Sequence, residues 1–158
     1  MEYELRDESP EDADFLERLF VDARGAEFAL GGIPEPMLQQ LLAMQAKAQR
    51  MGYGTSYPGA RWSVIWVDGE RAGRVIVHEG SEVTTLVDVA LSREYRGRGI
   101  GTALIQGICR GAGARRVRLS VNRSNPAQKL YLRCGFRVCG EDAIRYEMEY
   151  VSREDSGR

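Results

Sequence analysis

Much of what usually announces a chemistry is scarce in this 158-residue chain. Histidine occurs once, as His78, with Glu79 as its acidic neighbour, so a Cys–His catalytic pair has little to draw on. The three cysteines, Cys109, Cys134 and Cys139, are odd in number and lack metal-ligand spacing. They read as buried or bystander thiols rather than a disulfide or zinc framework, and no metal is expected. No apolar run approaches the ~20 residues of a bilayer span. The acidic start MEYELRDESPEDAD resembles neither a signal nor a transit peptide, so a cytoplasmic protein without a membrane partner is expected. Net charge is only −1, which gives no overall attraction to nucleic acid. Repeats, low-complexity tracts and a convincing linker are missing too. One domain over residues 1–151 with a polar, frayed tail at 152–158 is the expectation, long enough to bury roughly two-thirds of its unfolded surface.

Charge that is absent globally is present locally. Residues 1–24 carry nine acids against three arginines, and residues 93–118 carry seven arginines against Glu94 alone. Solvated faces explain most such runs. Here the arginines flank a glycine cluster, which makes a small polyanionic ligand an equal alternative.

Hydrophobic periodicity predicts a first strand over residues 2–6 and a helix opened by Ser9-Pro10 that runs to about Arg24. A second helix follows over about 35–51, with Met37, Leu41, Met44, Ala48 and Met51 at helical spacing. That stripe reads as core or interface, with a substrate-pocket wall as the less favoured alternative. Residues 52–60, GYGTSYPGA, read as a loop. WSVIWV and RAGRVIVHE around Asp68-Gly69 predict a hairpin. TTLVDVALS is a further strand, followed by the glycine cluster and a helix over about 99–111. RVRLSV (116–121) is a strand parallel to it through a crossover, right-handed by rule. NPAQKLYLRCGF is a short helix closed by Gly135, and a last strand spans about 143–151. The order is β-α-α-β-β-β-α-β-α-β, an α/β domain around one mixed sheet.

The cluster YRGRGIGTAL (95–104) stands where a strand hands over to a helix. A helix N-terminus exposes unpaired N–H groups and the positive end of its dipole. Glycines let a ligand reach those donors, so strand–glycines–helix makes a phosphate cradle, with a plain tight turn as the default alternative. Two familiar phosphate motifs do not fit. A P-loop needs Lys after the last glycine, and Gly101 is followed by Thr102-Ala103; the dinucleotide fingerprint needs Gly at position 102.

Arg96-x-x-Gly99-x-Gly101 after an apolar strand resembles the acyl-CoA pyrophosphate loop of the GCN5-related N-acetyltransferases (GNAT). VNRSNPAQKLYLRCGF (121–136) resembles the family's second signature. Element order agrees over about residues 2–150. The resemblance implies a central, mostly antiparallel mixed sheet flanked by helices. Its implied activity is acetyl transfer from acetyl-CoA to a primary amine, by direct attack in a ternary complex. It also implies that backbone groups of Val89, Ala90 and Leu91 bind pantetheine, one of them facing the thioester oxygen. Arg96, Gly97, Arg98, Gly99, Ile100, Gly101 and Thr102 would hold the pyrophosphate. Asn125 would contact the cofactor arm, cap the helix after it, or both. Asn122 would join it in orienting cofactor or substrate, or simply end its strand. Tyr131 would protonate the departing thiolate. Asp88, an acid inside an apolar strand, would relay the amine's proton, anchor the substrate ammonium, or pair with a nearby arginine. Glu27, placed in a loop after the first helix, is a weaker acid candidate and His78 a weaker one still. Tyr53 and Tyr57 line the acceptor mouth or merely pack. Arg93 departs from the proline that many relatives carry there. A small-molecule or peptide amine acceptor is implied, and a homodimer is possible. The rival class is a non-catalytic acyl-CoA sensor with the same fold, which would need neither Tyr131 nor Asp88.

Overall fold

In the computed structural model the described residues are 2–29 and 32–152, with backbone alone for 25–29. They form β1 (Glu4–Asp7), α1 (Ala13–Ala29), α2 (Glu35–Ser56), β2 (Arg61–Val67), β3 (Glu70–Glu79), β4 (Val83–Leu91), α3 (Ile100–Ala112), β5 (Arg116–Asn122), α4 (Ala127–Arg133), β6 (Arg137–Glu141) and β7 (Arg145–Tyr150). Strand order in the sheet is β1-β2-β3-β4-β5-β7-β6. The break at Gly31 and the tail beyond Ser152 fall outside the described residues. No helix among them is long and apolar enough to cross a membrane. Backbone proximity divides the chain into two compact units.

The first unit comprises Glu2–Ile76 and Asp88–Arg96. β1 runs antiparallel to β2, from Glu4 opposite Trp66 to Asp7 opposite Ser63. A 3₁₀ turn, Pro10–Asp12, leads into α1. The Ser9 amide donates to Asp12 Oδ2 at 2.8 Å, and Arg71 Nε donates to Oδ1 at 2.7 Å. Those contacts allow Asp12 to be buried. Leu16 and Leu19 of α1 pack with Val64 of β2, while Phe20 packs with Leu38 and Leu42 of α2. Asp68 and Gly69 both have positive φ, 51° and 78°, the primed-turn geometry that matches a hairpin's twist.

Two expectations change in this unit. α2 continues to Ser56, so residues 52–56 are helix rather than loop. Gly52 and Gly54 cost about 1 kcal/mol each there. Against that, the Tyr53 ring stands 6.2 Å from Trp62 and its carbonyl accepts the Tyr57 amide at 2.8 Å. The methionine stripe is not core. Met37, Met44 and Met51 are exposed, and α2 buries Leu38 and Leu42 instead, a face turned by about one residue.

β3 and the end of β4 approach closely at Gly73. A Cβ there would lie 2.2 Å from the Ala90 carbonyl oxygen, and the Ser92 amide donates to Ala72 O at 2.8 Å. Only glycine fits between these backbones.

The second unit comprises Val77–Val87 and the chain from Gly97 onward. β4 and β5 pair in parallel over Val83–Thr85 and Arg116–Arg118, as the crossover expectation requires. α3 packs against β5 and buries Ile100, Leu104, Ile105 and Cys109. β5 runs antiparallel to β7 from Val117–Tyr150 to Asn122–Arg145. A seventh strand, β6, adds to the six expected; it pairs with β7 through an irregularity between Val138 and Gly140. It escaped the periodic reading because an edge strand with four of its five residues exposed has no alternation to show. Phe136 is fully buried, with Tyr131 at 5.9 Å and Tyr150 at 5.7 Å.

Candidate functional site

Between β4 and α3 the chain makes a 3₁₀ turn at Arg93–Tyr95 and then runs through Arg96, Gly97, Arg98 and Gly99. The Tyr95 hydroxyl donates to Glu70 Oε2 at 2.8 Å, and Arg96 Nε donates to the Leu91 carbonyl at 2.9 Å. Gly97 and Gly99 adopt φ of 73° and 83°. A Cβ on either would meet nothing within 4 Å. The backbone conformation thus calls for glycine, and the space above both residues is open. Gly99 caps α3 from the left-handed region, its carbonyl accepting the Ala103 amide at 3.0 Å. The amides of Gly99, Ile100, Gly101 and Thr102 are the first-turn donors that have no place in the intrahelical ladder. The first turn holds no acid and no side-chain cap. Such an end favours an anion.

The arginine excess of residues 93–118 is narrower in three dimensions than in sequence. Arg116 and Arg118 pair with Glu149 at 3.6 and 2.7 Å, and Arg115 donates to the Gly80 and Ala112 carbonyls. Arg96 and Arg98 lie within the glycine loop itself. Three of the nine N-terminal acids are matched in the same way: Glu4 with Arg6, Glu8 with Arg50, Asp12 with Arg71.

In the first unit, Asp88, Val89, Ala90 and Leu91 are all half-buried, although they belong to an interior strand of the sheet order. The register of β4 with β5 has ended by then, at Thr85. Asp88 Oδ2 accepts from Arg74 Nη2 at 2.6 Å, a charge-assisted bond. The same Nη2 donates to Gln49 Oε1 of α2 at 3.1 Å. The arginine partner anticipated as one alternative for Asp88 is therefore real. Arg74 and Gln49 escaped the sequence reading. The signal for Arg74 was the one that singled out Asp88, a charge inside an apolar strand (AGRVIV).

Glu27 lies inside α1, which continues to Ala29, and not in a loop; its side chain is outside the described residues. Tyr53 and Tyr57 sit in the last turn of α2 and just past it, both half-buried.

In the second unit Tyr131 is buried on α4, its ring tilted 59° against Phe136. Its carbonyl accepts the Cys134 and Phe136 amides at 3.1 and 3.0 Å, which folds the chain back at Gly135. Asn125 Oδ1 accepts the Ala127 amide at 2.9 Å, the helix-capping alternative. Asn122 Oδ1 accepts the Ser124 amide at 2.9 Å and its hydroxyl at 2.7 Å, a strand-ending turn. Neither contact uses the carboxamide NH₂.

The acetyltransferase (GNAT) domain profile matches residues 58–138, just over half of the chain. The chain is similar to a streptothricin acetyltransferase of Streptomyces lavendulae, 29% identical over 164 residues that cover 92% of this chain and 87% of the relative. Among solved structures, PaiA N-acetyltransferase from Thermoplasma acidophilum in complex with coenzyme A shares the fold. Its TM-score is 0.71 at 21% identity, over 96% of this chain and all of that one. Nourseothricin acetyltransferase aligns at TM-score 0.52 and 29% identity, over 60% of this chain and 66% of its own.

Proposed function

The chain belongs to the GNAT acetyltransferases, and on that premise we propose that it transfers acetyl from acetyl-CoA to a primary amine by direct attack in a ternary complex. One observation carries the reading most directly: Gly97 and Gly99 hold left-handed backbone with open space where a Cβ would stand. The hairpin glycine Gly69 shares both properties, and what sets Gly97 and Gly99 apart is their place at the start of α3, whose first turn carries no acid and no side-chain cap. The coenzyme A bound by PaiA N-acetyltransferase supports the same ligand class.

In this reading the amides of Arg98–Thr102 take the pyrophosphate, with Arg96 and Arg98 supplying charge. Backbone groups of Val89–Leu91 take the pantetheine arm, and one N–H among them faces the thioester oxygen. Such a donor is worth about 2–4 kcal/mol when aimed at the developing oxyanion. The amine nitrogen attacks the thioester carbonyl carbon, a C–N bond forms and the C–S bond breaks. Tyr131 gives its phenolic proton to the leaving thiolate, whose conjugate thiol has a pKa near ~8.5. Asp88, held in place by Arg74, anchors the substrate ammonium and receives its proton, directly or through water. Asn125 and Asn122 turn their NH₂ groups to the cofactor arm and the substrate. The acceptor is a small-molecule or peptide amine, with streptothricin the first compound to try, given the Streptomyces lavendulae relative.

The test is mass-spectrometric detection of acetylated product from acetyl-CoA across a broad amine panel that includes streptothricin, with Tyr131→Phe alongside. Amine-dependent product that falls at least tenfold in the variant is expected, a modest share of the ~10²–10⁴ that general acids supply. Unchanged turnover in the variant removes Tyr131 from its role. Binding of acetyl-CoA with no product from any amine favours the sensor class instead.

A further inference from the structure

The stripe Met37, Leu41, Met44, Ala48 and Met51 runs the length of α2, and the fold leaves it open. The three methionines are 61%, 69% and 64% exposed, Ala48 is exposed and Leu41 is half-buried. Successive members stand four and three residues apart in turn, the spacing of a seam between two paired helices. The buried Leu38 and Leu42 each lie one residue further along, roughly 100° round the helix. Large apolar side chains scattered singly over a surface need no explanation, but a contiguous line of them marks an interaction surface.

Symmetry and charge say what covers it. The stripe is the same read in either direction from Met44, with Met37 and Met51 at equal distances from it. A second α2 laid antiparallel across a two-fold axis at Met44 sets Met44 on Met44 and Met37 on Met51. Leu41 then meets Ala48, a large side chain against a small one. The surface is its own complement, as a contact between two identical copies requires. Between positions 37 and 51 the only charged residues are Lys47 and Arg50. Arg50 is turned onto Glu8, and Lys47 flanks the seam beside Gln40, both exposed. In the antiparallel pair each Lys47 comes to Gln40 of the second copy, and the two lysines stand about 9 Å apart along the axis, near one Debye length. An acidic partner would find a single lysine to pair with along this face, and a basic partner no acid at all. Opposed helix dipoles favour the antiparallel arrangement over the parallel one.

We propose that this face of α2 is a homodimer surface, in which two copies of the chain pair through antiparallel α2 helices about a two-fold axis at Met44. From Met37 to Met51 the strip is about 21 Å long, and a helix is about 10 Å across. It therefore covers well under the ~800 Å² per partner of a standard interface. The dimer is accordingly a reversible one, with a dissociation constant of about 10–100 µM.

Sedimentation velocity on the full chain, from about 5 to about 500 µM, brackets that constant. Wild type should pass from monomer to dimer across the range. Met44→Glu and Met44→Lys each bring two like charges together at the axis, and each should raise the dissociation constant at least tenfold. Position 44 is exposed, so both variants should keep the circular dichroism of wild type. Mixed in equal amounts they should form a heterodimer at least as tight as wild type, because opposite charges then meet. Misfolding cannot mimic that rescue. Met37→Glu and Met51→Lys combined in one chain fix the direction: antiparallel helices join opposite charges and the dimer persists, whereas parallel helices join like charges. A wild-type chain that stays monomeric at the highest concentration overturns the proposal and leaves the stripe to a different partner. A dimer that neither Met44 variant weakens overturns it too, as does a mixture of the two folded variants that stays monomeric. Dissociation of the combined variant overturns the antiparallel arrangement.

Discussion

Alanine at position 99 separates the two jobs a glycine can do at the start of α3. Gly99 sits at φ 83°, and an added Cβ meets nothing within 4 Å. The fold alone therefore loses only the conformational term, about 1–2 kcal/mol for a non-glycine residue in the left-handed region. For a domain of this length each kcal/mol moves Tm by roughly 2–4 °C, so a fall of about 2–8 °C is expected. Coenzyme A loses more. In the proposed reading the new methyl group would occupy open space beside the first-turn amides that take the phosphate. Displacing one charge-assisted bond of about 1.5–3 kcal/mol weakens binding roughly tenfold to a hundredfold. Calorimetric titration with coenzyme A, well below the melting range, and a thermal melt on the same sample read the two quantities separately. A Tm that falls as reckoned while the coenzyme A Kd stays within twofold would refute the phosphate reading and leave a plain turn.

Other perturbations test the surrounding frame. In Gly73→Ala the Cβ would stand 2.2 Å from the Ala90 carbonyl oxygen, so the backbones of β3 and β4 must part. A stability loss of about 2–3 kcal/mol in a denaturant melt is expected, together with a raised KM for acetyl-CoA because Ala90 and Leu91 shift. Asp12→Asn should cost about 2 kcal/mol. Burial pushes the Asp12 carboxyl up, but its bonds from Arg71 and the Ser9 amide outweigh that and hold it below its ordinary 3.8. A carboxylate with a lowered folded pKa stabilises above its unfolded value and loses that contribution as pH falls through the folded one. The gap between wild type and Asp12→Asn should thus be full at neutral pH and close below about pH 4; a pH-independent gap would sink the ion-pair account. Burial, aided by Cys134, pushes the Cys109 thiol up to about 12. Iodoacetamide at pH 8 should label exposed Cys139 and spare Cys109 until the chain unfolds, as peptide mapping would show.

How far the fold was legible depends on where its information lies. The β2–β3 hairpin was readable because Asp68-Gly69 encodes its own turn, two positive φ values in succession. The parallel β4–β5 pair followed from a strand–helix–strand spacing that leaves little choice. By contrast, the C-terminal turn of α2 is held by Tyr53 against Trp62, a contact nine residues away that outvotes two helix glycines. The stripe Met37–Met44–Met51 has the spacing of a buried face, yet Leu38 and Leu42 are buried in its place. Periodicity finds that a helix has an apolar face and is weak at telling which of two overlapping faces turns inward. β6 was invisible for a different reason: an edge strand exposed on nearly every residue carries no alternation at all.

The candidate site divides along the same line. The geometry of the glycine loop was legible because it is backbone geometry, set by Gly97, Gly99 and the helix after them within a few residues. The local roles of Asn122 and Asn125 were legible too, since each bonds a group two residues on. Asp88 stood out as a charge in an apolar strand, and Arg74 is its mirror image on the neighbouring segment of sequence. Two opposite charges that interrupt two apolar strands are more economical as a pair than as two separate exceptions, because their attraction offsets part of the desolvation cost of each. That inference needed no coordinates and was open to the sequence. The buried Oε2 of Glu8 and Nε of Arg74, which have no hydrogen-bond partner, were not. Whether a buried oxygen or N–H has a partner depends on every group around it, and Glu8, Arg50 and Arg74 come from three elements. Unsatisfied polarity belongs to an assembled interior, and no motif carries it.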